Sequence, residues 1–378
     1  MASTTSTKLP KLADEYCNNP IDTSPQAGQF YFPALTPPFQ NRATVRYTLG
    51  RNAWAFEQLL TFANVTATIR CNVIQLQSTG GLWVHSPQWP TGEFCDLIDS
   101  LRAPVEHIIL PCNAFEHKAP IKAVAERYPK AQVWVSPGQY GPLGNCGTSL
   151  KNPSSLGYKI DGILGDPDSP QPPWTDEFDF AILYVALPKN AGPVSEVAFL
   201  HRPTRTLVST DAVVYIPDKA PEILTTYFDP SVIQSDPLFW PKSVLQAVFL
   251  PLRTDQFGKY PGYEVLVNRL VRAPILRAVV DARAPNEVRD WIEKQTKWDF
   301  DRILTSHFAS PIEATPADLR ASFDYLFEED VGKLQSPSSR LPRIACQDWE
   351  LLDSINQFIA KTGAGEKATF DFQRGCIK

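Results

Sequence analysis

The apolar pattern of this chain predicts an α/β fold. Two observations carry that prediction. Short runs of strand character recur at 43–49, 66–76, 82–85, 105–110 and 132–136, and helical periodicities fall between the later ones. The 378 residues are 43% hydrophobic and include 9 Trp and 21 Phe, enough to bury a large core.

The elements follow in order. Residues 1–40 are polar and Pro-rich and read as an extended arm, pinned to the body by Phe30, Tyr31 and Phe32. Val45, Tyr47 and Leu49 alternate as a strand does. Residues 53–64 read as a short amphipathic helix and 66–76 as a strand. Ser78-Thr79-Gly80-Gly81 is a turn, and 82–85 returns as a strand. Thr91 is placed to cap a helix running through Phe94, Leu97, Ile98 and Leu101. Strand, helix and strand follow at 105–110, 119–128 and 132–136. Residues 137–177, rich in Gly, Pro, Ser and Asp, read as one long loop; loops of that length usually serve function or move.

Strands resume at 180–186, 194–201 and 205–210, and a Pro-interrupted helical region covers 233–276. A helix at 287–297, a strand at 300–305 and a helix at 316–327 come next. A Ser/Pro linker at 331–343 leads to a final amphipathic helix at 347–361. The expected division is an arm (1–40), a body (41–330, with the long loop 137–177) and a linker with C-terminal helix (331–378).

Composition removes several function classes. There are 36 basic against 41 acidic residues, a net charge of −5 with no long basic run, so nucleic acid is not the expected partner. No stretch approaches the roughly 20 uninterrupted apolar residues of a membrane span. The cysteines (Cys17, Cys71, Cys95, Cys112, Cys146, Cys346, Cys376) are scattered, odd in number and without a C-x-x-C pair. That usage points to a reducing intracellular compartment, cytoplasm or plastid, rather than a disulfide framework. No Gly-Lys-Ser/Thr phosphate loop and no Gly-x-Ser-x-Gly elbow occurs.

Chemistry-bearing residues gather at strand ends. Leu110-Pro111-Cys112-Asn113-Ala114-Phe115-Glu116-His117 follows the 105–110 strand. Leu82-Trp83-Val84-His85-Ser86-Pro87 ends an earlier one. Arg205-Thr206-Leu207-Val208-Ser209-Thr210-Asp211 and Ile303-Leu304-Thr305-Ser306-His307 end two later ones. Taken singly, these residues have structural readings. Glu116 suits the positive end of a helix, Asp211 can cap a turn, and His307 can bond to backbone.

Taken together, the four pieces resemble the metallo-β-lactamase superfamily, whose metal loop reads His-x-His-x-Asp-His. Here it reads Cys112-x-Ala114-x-Glu116-His117. Leu82-Trp83-Val84-His85-Ser86-Pro87 and Glu116-His117-Lys118 resemble, more narrowly, the DUF4336 family. The resemblance spans 43–312. It implies a metallo-β-lactamase-like αββα sandwich, with an N-terminal arm and a C-terminal helical extension.

The superfamily builds two metal sites. The positions of the first are Cys112, Ala114 and a residue near 190–192, where no His occurs, so that site is expected to be lost. The positions of the second are Glu116, His117, Asp211 and His307, and all four can ligate. The resemblance thus implies one mononuclear site for a divalent Zn, Fe or Mn ion. Asp211 and His85 are the candidate catalytic residues, the substrate is a small molecule, and the implied reaction is hydrolysis of an ester, lactone or thioester by metal-activated water.

Two other readings compete: a metal-free scaffold that binds a ligand or partner, and a mononuclear iron redox enzyme. Convergence separates the metal readings from the scaffold, because ligands must aim at one point about 2–2.3 Å away. Cys112 is expected to fill a vacated His position and Lys118 to be solvated. His201 and His107 are expected to be structural.

Overall fold

The computed structural model of the chain describes residues 43–62, 65–139, 157–186, 193–227, 234–363 and 365–378. The arm expected at 1–40, with Phe30, Tyr31 and Phe32, lies outside the described residues.

Seven strands form the first sheet in sequential order: β1 (Val45–Gly50), β2 (Ala53–Phe62), β3 (Val65–Gln75), β4 (Leu82–His85), β5 (Val105–Leu110), β6 (Gln132–Val135) and β7 (Gly162–Ile163). The first four pair antiparallel; from β4 to β7 the pairing is parallel. The second sheet uses β8 (Phe178–Val185), β9 (Val194–His201), β10 (Thr206–Val208), β13 (Arg302–Leu304) and β14 (Ile312–Glu313), in the order β14-β13-β10-β9-β8. β11 (Val214–Tyr215) and β12 (Leu270–Val271) form a separate antiparallel pair.

Alternation along the strands sorts side chains into layers. Ile74, Trp83, Ile109 and Trp134 of the first sheet meet Phe178, Val197, Phe199, Val208 and Leu304 of the second. Their neighbours in sequence point outward. Val84 meets Phe94 and Ile98 of the helix Gly92–Asp99, and Ile108 and Leu110 meet Ile121 and Val124 of the helix Ile121–Arg127. On the far side, Ala198, Leu200, Leu207 and Ile303 pack on Val288, Trp291 and Ile292 of the helix Pro285–Gln295. The layer order is therefore the αββα sandwich that the resemblance implied. Strands covered on both faces read as continuous apolar runs. Each fully buried Ile, Leu or Phe contributes about 1.5–3 kcal/mol.

Local signals held well. The Thr91 hydroxyl caps Gly92–Asp99 by accepting from the Phe94 N–H. Gly80 takes a φ of +76° in the 78–81 turn. Departures arise where distant contacts outweigh local periodicity. Residues 53–64, expected as a helix, contain the strand β2, which pairs with β3 over ten consecutive positions. Its apolar residues fit a half-buried strand equally well, and β3 supplies the ladder.

The stretch 137–177 is not loop throughout. β7 adds to the sheet edge, with Gly162 so close to the Trp134 ring that a Cβ would clash at 2.3 Å. Pro173–Asp176 forms a 3-10 turn, and its Trp174 is fully buried between the sheets. Residues 140–156 of that stretch lie outside the described residues. The helix expected at 119–128 is present as Ile121–Arg127, preceded by a separate short helix Phe115–Lys118, while the one at 316–327 breaks after Ala321. Within the expected linker, Val331–Gln335 is helical. One cysteine pair also departs from the reading of scattered thiols: Cys346 and Cys376 form a disulfide, whereas Cys71, Cys95 and Cys112 are free and buried. Among the described residues, no helix is long and apolar enough to cross a membrane.

Candidate metal centre

Three strand ends meet at one edge of the sandwich. After β5, the Pro111 carbonyl accepts from Val197 N–H (2.8 Å) and the Asn113 N–H donates to the Ser195 carbonyl (3.2 Å), which seats the loop against β9. The short helix Phe115–Lys118 then presents Glu116 and His117. After β10, a tight turn carries Asp211. After β13, a turn carries His307, with the Ser306 N–H donating to the Thr210 carbonyl (3.2 Å).

These turns bring Glu116, His117, Asp211 and His307 together. One ligating atom from each lies within 4.8 Å of all the others. His117 Nε2 is 3.5 Å and His307 Nε2 3.1 Å from the same atom, Asp211 Oδ1. The two imidazoles stand edge to face, centroids 5.3 Å apart.

The far side of each ring is engaged. His117 Nδ1 bonds the Ser86 hydroxyl at 2.6 Å. His307 Nδ1 donates to the Thr68 carbonyl at 2.7 Å, which turns its Nε2 toward Asp211. Outer partners that fix ring orientation and tautomer are the usual support of metal-ligating histidines.

The donor set fits a metal on two counts. His117 Nε2 and Asp211 Oδ1 are buried without a hydrogen-bond partner, a costly arrangement unless something else binds them. Ligand atoms about 2.1 Å from a shared ion sit roughly 3–4 Å apart, so a contraction of about 1 Å in the widest pair, now within 4.8 Å, would close the set. His117 is fully buried, while the side chains of Asp211 and His307 keep 19% and 14% of their exposure, so the site opens to solvent on one side.

Charge organises the cluster. Burial opposes ionisation of Asp211, but His117 and His307 outweigh it and hold the carboxyl far below its ordinary range. Burial likewise disfavours a charged His307, yet Asp211, with Glu116 behind it, raises the pKa.

His85 ends β4 inside the sandwich, fully buried, stacked on Trp83 and edge-on to Phe199. Burial, then the nearby His117, push it down to about 3, so its ring is neutral. Neither of its nitrogens has a hydrogen-bond partner among the described residues.

Cys112 is buried, and burial followed by Asp211, Glu196 and Glu116 pushes its thiol well up; its sulfur is not among the converging atoms. Lys118, expected to be solvated, is buried instead, and burial pulls it down to about 8. His201 bonds Thr204 (2.7 Å) and Glu177 (3.2 Å), a structural role, and His107 lies within β5. The 190–192 stretch lies outside the described residues.

Sequence reading missed the groups behind the cluster. Ser86 holds His117 from a positive φ of 52°. Arg70, paired with Glu57, donates to the Thr305 carbonyl (3.1 Å) and the Phe308 carbonyl and so fixes the His307 turn. Glu196 gathers the Asp211 turn. The available signal was a charged residue inside an apolar strand: Arg70 in β3 and Glu196 in β9.

The family described as Domain of unknown function (DUF4336) matches residues 51–241 and 258–325, more than half of the chain. The chain belongs to the DUF4336 family. Among solved structures, this DUF4336 protein is similar to a metallo-β-lactamase from Hirschia baltica, at 11% identity and a TM-score of 0.38, covering 75% of this chain and 97% of that one. It is also similar to the Flv1 flavodiiron core from Synechocystis, at 11% identity and a TM-score of 0.42, covering 86% and 70%. A flavo di-iron protein from Thermotoga maritima matches at 11% identity and a TM-score of 0.43, covering 79% and 63%. No curated protein matches the DUF4336 chain.

Proposed function

We propose that this DUF4336 protein is a mononuclear metal-dependent hydrolase acting on an ester, lactone or thioester. The observation that carries the reading is the convergence of Glu116, His117, Asp211 and His307, with a buried nitrogen and a buried oxygen left unpartnered between them. Two imidazoles and two carboxylates suit Zn, Fe or Mn. A divalent ion held there would supply Lewis acidity to a substrate carbonyl and activate water. A single ion is expected because Ala114 offers no donor and Cys112 Sγ stands outside the set.

The chain's own residues do the rest. Asp211, kept anionic at the solvent-facing edge, accepts a hydrogen bond from the attacking water and orients it. His85, a neutral imidazole, supplies an N–H to the substrate oxygen. Water adds to the carbonyl carbon, the acyl–oxygen or acyl–sulfur bond breaks, and the leaving group takes the proton that the water loses. The choice of hydrolysis rests on the resemblance of the three loops to the superfamily pattern, an argument by analogy.

The test is elemental analysis of protein purified without chelator or nickel resin, alongside a His117→Ala/His307→Ala variant and a panel of ester, lactone and thioester substrates. The expected result is about one Zn, Fe or Mn per chain, absent from the variant, with turnover of at least one substrate class. His85→Leu should keep its metal and lose turnover by roughly 100–1,000-fold. Metal-free wild-type protein whose melting temperature ignores added metals would overturn the reading in favour of a binding scaffold.

A further inference from the structure

Glu196 sits in β9 and is 6% exposed. Its Oε1 is met by four donors: the Ser209 hydroxyl (3.1 Å) and the backbone N–H groups of Thr210 (3.1 Å), Asp211 (2.9 Å) and Ala212 (2.9 Å). Three consecutive amides turned toward one oxygen define the path of the turn that carries Asp211. The turn is held from its other side as well. The Ala212 carbonyl accepts from Arg272 (3.0 Å), whose guanidinium is itself paired with Asp281.

The same short piece of β9 also seats the other ligand loop. Glu196 bridges to Cys112, its neighbour Val197 donates to the Pro111 carbonyl, and Ser195 N–H donates to Asn113 Oδ1 (3.1 Å). One residue thus lies where the Glu116–His117 loop and the Asp211 turn are fastened to a common strand. An acidic side chain buried in an apolar strand is costly unless it is hydrogen-bonded.

We propose that Glu196 is a positioning residue for the metal centre: through the amides of 210–212 it sets where Asp211 points relative to His117 and His307, and so sets metal affinity. The proposal rests on the metal reading above. It concerns a residue that touches neither metal nor substrate.

The experiment is a competition titration of Zn²⁺ against a chromophoric chelator, on folded wild-type protein and on Glu196→Ala, Glu196→Asp and Glu196→Gln, with metal-free melting temperatures recorded in parallel. Gln keeps an acceptor oxygen at the same reach; Asp withdraws it by one methylene; Ala removes it. The expected order of affinity is wild type and Gln together, then Asp, then Ala, with Ala weaker by roughly 10–100-fold, as for other supporting residues of metal ligands. If Glu196→Ala does not fold, the Asp and Gln pair decides. Folded Asp or Ala variants with unchanged Zn²⁺ affinity and only a lower melting temperature would show a merely structural role and overturn the proposal. Wild-type protein that binds no Zn²⁺, Fe²⁺ or Mn²⁺ would instead overturn the metal reading, and this inference with it.

Discussion

Glu93 shows what a single misplaced charge does. It is 1% exposed at the start of the helix Gly92–Asp99; its Oε2 accepts the Thr44 N–H at 2.7 Å, while Oε1 is buried without a partner. Burial pushes its carboxyl up to about 7. A carboxyl raised above its unfolded value binds more protons in the native state, so stability is greatest at low pH and falls as pH rises from its ordinary value of about 4.5 toward 7. Glu93→Gln keeps an acceptor for Thr44 without the charge. It should raise stability at pH 8 by about 1–2 kcal/mol, allowing for solvent screening, and match wild type below pH 4. Thermal melts across that range check it; parallel curves for the two proteins would sink the assignment. The four converging residues were legible in sequence because each ends a strand within a motif. Their supports were harder to read: Ser86 and Thr68 are ordinary residues until the backbone places them beside a ligand, and Glu196 showed only as a charge within an apolar strand.

Among the elements, those specified by neighbours in sequence came out as read. The Thr91 cap, the 78–81 turn and the strands Leu82–His85 and Val105–Leu110 need only local signals. β2 did not, because its conformation depends on β3. The C-terminal segment depends on a still longer link. Cys346–Cys376 closes a loop of sequence separation 30, beside backbone bonds from Cys346 N–H to the Ile377 carbonyl and from Ile377 N–H to the Ile344 carbonyl. A loop of that size predicts about 3.6 kcal/mol of stabilisation. Equilibrium denaturation with and without dithiothreitol should show that loss, and Cys346→Ser should reproduce it without reductant. Superimposable curves would mean that the backbone pairing alone holds the tail.

Across the whole molecule, the two sheets must be held in register for the ligands to meet. Apolar packing between the faces is not directional, so the buried Arg70–Glu57 pair is the group suited to that task. Arg70 rises from the first sheet and donates to the Thr305 and Phe308 carbonyls of the second, on either side of His307. Arg70→Ala leaves Glu57 buried without its partner and should cost about 3–5 kcal/mol. Arg70→Met/Glu57→Gln should recover much of that loss. Denaturant titrations of the single and double variants measure the coupling; additive effects would exclude a shared role. The order of residues alone was enough for the α/β class, most strands and the identity of the converging side chains, because periodicity and strand-end motifs are local. The meeting of those side chains was settled by contacts such as His307 with Thr68, 239 positions apart. So were the strand nature of β2 and the roles of Arg70 and Glu196. A pairing across such distances leaves no periodic trace in either partner, so only the folded chain reveals it.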